Sequence, residues 1–190
     1  MAVKAVVFDV GETLADETPY WSSVADRLGI PRFTFMGVFG GVVARGEHHH
    51  RAYDLLGVDA VPGDAPAEPY PDALACLERV RAAGYIVGVA GNMPWGDDLP
   101  VPDFVASAAT LGAEKPAVEF FERLSELVGV PPDEIAYVGD RVDYDVEPAL
   151  AVGMVAVHLR RGPWGFLHKP PPQAIRIESL DELPGALERV

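Results

Sequence analysis

The chain contains one cysteine, Cys76, in 190 residues. An intramolecular disulfide is therefore excluded, which fits a reducing compartment. Cys76 lies in a strongly helical stretch and reads as a small packed residue rather than a nucleophile. Cations are scarce: 15 Lys and Arg stand against 29 Asp and Glu, for a net charge of −14. This balance argues against a nucleic-acid-binding surface, which needs a basic patch to release counterions. It leaves room for an anionic small molecule, because a few local cations and a metal override the global field. No segment reaches the roughly 18 to 20 apolar residues of a membrane span. No charged region followed by a long apolar run opens the chain, so no signal peptide is expected. A soluble cytoplasmic protein is the expectation. Internal repeats are absent too.

What is present is a chain able to bury a core. Its hydrophobic content of 49% excludes a disordered chain, and its length suits one domain with a small insertion. Residues 3–8 read as a buried strand, a continuous apolar run that ends at a Gly-containing turn. Residues 71–83 read as a helix, with Pro71 in its first turn, Leu74, Leu77 and Val80 at helical spacing, and Gly84 at its end. Strands are expected at 85–90 and, more weakly, at 103–109. A helix follows over 116–128, opened by Pro116 and closed by Gly129, with Val118, Phe121, Leu124 and Val128 inward. A strand at 135–138, a helix near 144–152 and a strand at 154–159 come next. A short strand near 174–178 and a helix near 180–189 close the chain.

Alternating strands and helices imply an α/β fold, a Rossmann-like parallel sheet with helices on both faces. Ligands of such sheets bind at the carboxyl ends of the strands. Asp9, Asn92, Lys115 and Asp140 all follow predicted strands closely, so the alternation alone brings them to one edge. Residues 15–70 break the alternation and read as a small helical cap inserted after the first strand. Residues 1–14 and 71–190 then form the core domain. Within the cap, Trp21, Phe33, Phe35 and Phe39 read as cap core, and 61–69 as a Pro/Gly/Asp/Ala linker. The proline-rich stretch between 91 and 103 is too short for a full crossover helix, so an abbreviated link is expected there.

The chemistry these residues permit is phosphoryl transfer. A carboxylate at Asp9 can attack phosphorus to give an aspartyl-phosphate, which water hydrolyses. Two anions must meet, so cations are required. Asp9, Asp140 and Asp145 offer hard oxygen ligands suited to Mg²⁺. Lys115 supplies a compact charge for the phosphate and precedes a predicted helix N-terminus, which also favours an anion.

Four segments resemble, in order and spacing, the haloacid dehalogenase (HAD) superfamily. They are Phe8-Asp9-Val10-Gly11-Glu12-Thr13-Leu14, Val89-Ala90-Gly91-Asn92, Lys115-Pro116, and Gly139-Asp140 through Asp145. The resemblance spans essentially the whole chain. It implies a Mg²⁺-dependent phosphatase acting on a small phosphorylated molecule, with Asp9 as nucleophile and Lys115 as the phosphate-facing lysine. The metal ligands it implies are Asp9, Asp140, Asp145 and the Gly11 backbone carbonyl. Gly91 and Asn92 take the place of the phosphate-binding segment.

Two positions depart from the pattern of that family. Its phosphatases usually carry a second aspartate, a general acid and base, where this chain has Gly11. General acid–base catalysis contributes about 10²–10⁴-fold, or roughly 3–5 kcal/mol of barrier. Glu12 is adjacent: it either takes over that role or is a solvent-facing turn residue. The usual Ser or Thr of the second segment is Gly91, whose N–H is left to donate, with Asn92 beside it. Tyr144 stands where Asn is common, and Asp143 is an alternative metal ligand or a neighbour of the ligands.

These departures support a second reading, a catalytically weakened member that binds a phosphorylated ligand or a partner protein. A third, carbon–halogen hydrolysis, needs no divalent metal, and the acidic pair Asp140/Asp145 argues against it. His48-His49-His50 is internal, and consecutive helical residues face different directions, so a polar cap surface is expected there. One of these histidines, Arg45 or Arg51 is what the cap offers an anionic substrate. Arg160-Arg161-Gly162-Pro163-Trp164 reads as a packed terminal loop without a mechanistic role.

Overall fold

The computed structural model describes residues 2–93 and 102–190. Its strands are β1 (Ala5–Phe8), β2 (Ala15–Asp16), β3 (Glu68–Pro69), β4 (Ile86–Gly91), β5 (Phe104–Ser107), β6 (Ile135–Gly139), β7 (Val155–Leu159) and β8 (Ile175–Ile177). Its helices are α1 (Thr18–Arg27), α2 (Arg32–Ala44), α3 (Arg51–Leu56), α4 (Ala73–Ala82), α5 (Ala108–Leu111), α6 (Val118–Val128), α7 (Glu147–Ala151), α8 (Gly162–Leu167) and α9 (Leu183–Leu187). The expected abbreviated link through Pro94 and Pro100 lies outside the described residues.

Six strands form one sheet in the order β5-β4-β1-β6-β7-β8, every pair parallel. The chain runs outward from β1 through β4 to β5, then crosses back to place β6 on the other side of β1. That reversal opens a crevice at the carboxyl ends of β1, β4 and β6. β1 is buried on both faces, which explains its unbroken apolar run. Val6 and Phe8 pack with α4 and α9 on one face. Ala5 and Val7 pack with Phe120, Phe121 and Leu124 of α6 on the other.

The helices show their inward faces more narrowly than expected. α4 buries Ala73, Cys76, Leu77 and Val80 at spacings of i, i+3, i+4 and i+7, which leaves Leu74 a turn to the side and 39% exposed. In α6, Phe120 is buried while Val118 lies outward. α6 begins at Val118, not Pro116, because Ala117 is extended at its N-cap. The expected last helix is a 3₁₀ turn over Leu180–Glu182 that leads into α9. α8 replaces part of the expected terminal loop.

Between β1 and α4 the chain leaves the sheet. β2 pairs antiparallel with β3, so the end of the expected linker is a strand that returns the chain to its point of departure. α1, α2 and α3 carry their own apolar cluster, which includes Val24, Phe35, Phe39, Val42 and Tyr53. Phe33 does not join it and is 92% exposed. Two residues on a helix lie about 200° apart, so Phe33 cannot share the face of Phe35 and Phe39. Trp164 of α8 reaches into this cluster and meets Phe39 edge to face, with ring centroids 5.3 Å apart.

Candidate active site

Asp9 follows the last residue of β1, and its N–H continues the ladder by donating to Val138 O at 2.8 Å. Beyond it the chain turns sharply: Val10 O accepts the N–H groups of Thr13, Leu14 and Ala15. This turn holds the Asp9 carboxylate, itself mostly buried, at the strand-end crevice.

Lys115 arrives from the opposite side. Its Nζ donates to Asp9 Oδ1 at 2.5 Å and to Asp145 Oδ1 at 2.6 Å. Burial works against the ammonium, but the charges of Asp145 and Asp9 outweigh it and hold the lysine pKa well above its ordinary value. The Lys115 backbone is clamped by Asn92, whose Oδ1 accepts the Lys115 N–H at 2.7 Å and whose Nδ2 donates to Lys115 O at 3.0 Å. The Asn92 carboxamide therefore positions the lysine backbone. Lys115 also stands three residues before α6 rather than immediately before its N-terminus.

Asp140 follows β6, and Asp145 is turned back toward it by a π-helical turn over Val142–Val146. Asp145 Oδ2 accepts the Arg141 N–H at 3.0 Å. Gly139 makes this return possible: a Cβ there would lie 2.4 Å from Asp145 Cγ. Asp9, Asp140 and Asp145 each place an oxygen within 4.8 Å of the others, and all three are buried. Burial first, then mutual repulsion, raises the Asp140 pKa well above the ordinary carboxylate range. Asp140 Oδ2 is buried and has no hydrogen-bond partner among the described residues. Crowded hard oxygens with an unpartnered lone pair fit a divalent metal ion. Asp143 is not part of this group; it forms a forked pair with Arg141 at 3.1 and 2.7 Å.

Glu12 does not face this crevice as a free group. Its backbone is left-handed, with φ of 52°. Its carboxylate accepts the Glu17 N–H at 2.9 Å and the Tyr70 hydroxyl at 2.8 Å. Burial raises its pKa while those two bonds oppose the shift. The Glu12 carboxylate is thus bonded to the Glu17 N–H and the Tyr70 hydroxyl, and at 6% exposed it is not the solvent-facing turn residue of the alternative reading. Position 11 is crowded instead by Glu17, whose Oε1 would lie 2.7 Å from a Cβ built on Gly11. Burial pushes the Glu17 carboxyl up to about 7, against the bond it accepts from Trp21. Gly91 keeps clear of the nucleophile: a Cβ there would lie 3.2 Å from Asp9 Oδ1.

The rim contains residues to which the sequence reading gave no role. The Arg141 guanidinium is layered between the Tyr144 ring at 3.7 Å and the Trp164 ring at 4.6 Å. Arg45 and Arg51 are engaged elsewhere, with Glu47 and Asp54. The histidine run is not one polar surface. His49 packs its ring among Trp21, Phe39 and Trp164, and its Nδ1 is buried without a partner among the described residues. Arg161 clasps the nucleophile turn: it donates to Thr13 O at 2.9 Å, pairs with Asp72 and covers the Tyr70 ring at 4.2 Å. An arginine pair after a strand carries no periodic signal, so only the fold discloses these contacts.

Residues 40–153 match the family model of haloacid dehalogenase-like hydrolases. The chain is 30% identical over 199 aligned residues to the glyceraldehyde 3-phosphate phosphatase of Methanopyrus kandleri, covering 84% of this chain and 85% of that protein. It is 26% identical to the enzyme of the same name from Methanocaldococcus jannaschii, over 95% of each chain. Among solved structures it is similar to a HAD phosphatase from Thermococcus onnurineus, with a TM-score of 0.63 at 26% identity. That match covers 97% of this chain and 98% of the other.

Proposed function

Because the chain belongs to the haloacid dehalogenase-like hydrolases, we propose that it hydrolyses a small phosphomonoester through an aspartyl-phosphate on Asp9. The observation that carries this reading is the buried chain Asp9–Lys115–Asp145, with the unpartnered oxygen of Asp140 beside it. In this reading Asp9, Asp140, Asp145 and the Gly11 carbonyl hold Mg²⁺, and residues 15–70 cap the core formed by 1–14 and 71–190. When bound, the metal neutralises charge so that the carboxylate and the phosphate can approach.

The chain's own residues do the rest. The Asp9 carboxylate attacks phosphorus from a position already set by the ladder bond to Val138. Lys115 keeps its proton and offsets the charge of the transferring group. Asn92 holds the lysine in place. Gly91 leaves open the space beside the nucleophile that a side chain would fill. The archaeal relatives named for glyceraldehyde 3-phosphate support a substrate of that size. A cap closing over the crevice excludes water and limits the substrate to small esters.

The test is steady-state hydrolysis of 4-nitrophenyl phosphate, with Mg²⁺ and after chelation, by the wild type and by Asp9→Asn. The expected result is turnover that is lost on chelation, returns with Mg²⁺, and is absent in the folded variant. Turnover that survives Asp9→Asn removes the mechanism. The absence of Gly91 and Gly11 side chains favours the competing reading, binding of a phosphorylated ligand without turnover. Metal-dependent ligand binding with no hydrolysis across a panel of phosphate esters would establish that reading instead.

A further inference from the structure

We propose that Glu17 is the proton-transferring carboxylate of this site, reaching from the start of α1 into the space left free by Gly11. The assignment rests on the phosphatase reading above. Expulsion of an alkoxide from phosphorus requires a proton donor at the leaving oxygen, and hydrolysis of the resulting acyl phosphate requires a base for water. Among the described residues, the other carboxylates around Asp9 are committed. Asp145 is held by Lys115 and the Arg141 N–H, and Asp140 belongs to the cation-binding group. Glu12 is occupied by the Tyr70 hydroxyl and the Glu17 N–H.

Glu17 is different. Its carboxyl lies where a side chain from position 11 would begin, with Oε1 2.7 Å and Cδ 2.9 Å from a Cβ built on Gly11. Position 11 lies two residues beyond Asp9 in the same turn, so the Glu17 carboxyl is brought to the turn that carries the nucleophile. Two contacts hold it there. Its N–H donates to Glu12 Oε1 at 2.9 Å, and its Oε2 accepts from Trp21 Nε1 at 3.2 Å. No hydrogen bond to Oε1 is formed by the described residues, so this oxygen is free to meet a leaving group. Glu12 thereby becomes a positioning residue, one bond removed from the chemistry.

The steps balance. As the Asp9 oxygen–phosphorus bond forms and the ester oxygen–phosphorus bond breaks, the Glu17 carboxyl gives its proton to the departing oxygen. The Glu17 carboxylate then takes a proton from water, the water oxygen bonds to phosphorus, and the bond to Asp9 breaks. Phosphate leaves, Asp9 is again a carboxylate, and Glu17 again carries a proton.

The experiment compares kcat/KM for phenyl phosphate and 4-nitrophenyl phosphate in wild type, Glu17→Gln, Glu17→Ala and Glu17→Ala/Gly11→Asp, with Asp9→Asn as the zero. Phenolate leaves less readily than nitrophenolate, so loss of a proton donor weighs on it more. Glu17→Gln is expected to lower kcat/KM for phenyl phosphate by about 10²–10⁴-fold, and for 4-nitrophenyl phosphate by a markedly smaller factor. With Glu17 truncated, a shorter carboxylate fits at position 11, and the double variant is expected to recover at least about tenfold over Glu17→Ala. An active wild type whose Glu17 variants lose nothing, or lose equally on both esters without recovery by Gly11→Asp, overturns this assignment alone. A wild type no faster than Asp9→Asn overturns the phosphatase reading and this assignment with it.

Discussion

Gly139 brings no side chain to the cluster of Asp9, Asp140 and Asp145, yet it limits that cluster tightly. Asp145 reaches Asp9 and Lys115 only because its carboxyl rests where a Cβ on residue 139 would be, at 2.4 Å. Gly139→Ala forces Asp145 outward or bends the end of β6. Overpacking of this kind costs about 1–3 kcal/mol of stability, and displacing a group that orients metal ligands costs about 10–100-fold in affinity. The expected outcome is a Mg²⁺ activation curve shifted to higher concentration in a folded protein; an unshifted curve would place the metal away from Asp145. At this scale the sequence displayed the residues that end or follow strands. Asp9, Lys115, Asp140 and Asp145 stand at one edge because a parallel sheet puts its strand ends there. Glu17 was not legible in this way beside Glu12. Both are glutamates near one turn, and the left-handed backbone at Glu12 decides which of them is tied into the Tyr70 hydroxyl and which faces Gly11.

At the scale of elements, the loop after β7 binds the two parts of the molecule. Arg161 reaches back to Thr13 O in the nucleophile turn and to Asp72 just before α4, while Trp164, three residues on, enters the helical insertion. Gly162 lets this loop approach, since its φ is 64° and a Cβ there would lie 2.6 Å from Glu12 Cβ. Arg161→Ala leaves Thr13 O without this donor and weakens the hold on Asp72, a loss of about 1–3 kcal/mol. A lower urea midpoint with unchanged m-value is expected, together with reduced turnover as the Asp9 turn loosens; full stability would mean the clasp is dispensable. Strand and helix alternation was legible because buried parallel strands are short apolar runs bounded by turn residues. α8 was not, because its opening Gly162-Pro163 signals a turn and the helix has too few residues for periodicity to register. The insertion's core was partly legible: Phe35 and Phe39 share a face by their spacing, and Phe33 falls on the opposite one.

At the scale of the whole molecule, a charge of −14 surrounds a crevice that the proposed reaction fills with an anion, so in that reading the local arrangement dominates the global one. Cations at the crevice, Lys115 and Arg141, come from the core rather than from the insertion, where the sequence suggested Arg45, Arg51 or a histidine. His49 serves the joint between the two parts instead. Its ring lies against Trp21, Phe39 and Trp164, faced by the charges of His48, His50 and Arg141. Burial, with those like charges, lowers its pKa from 6.5 to about 4. Across that window the unfolded chain takes up a proton at this residue that the folded chain does not, so the stability His49 contributes rises with pH from about 4 to 6.5. Glu17 acts in the opposite sense, because its raised pKa favours the fold at low pH and that contribution fades as pH rises toward 7. The wild-type curve mixes both, and a difference isolates one. His49→Phe keeps an aromatic ring and removes the titration. Urea denaturation at pH 7 and pH 5 should show the variant gaining stability relative to wild type at the lower pH. A difference independent of pH would mean that His49 takes up its proton as readily folded as unfolded, and that the joint between insertion and sheet is open to water there.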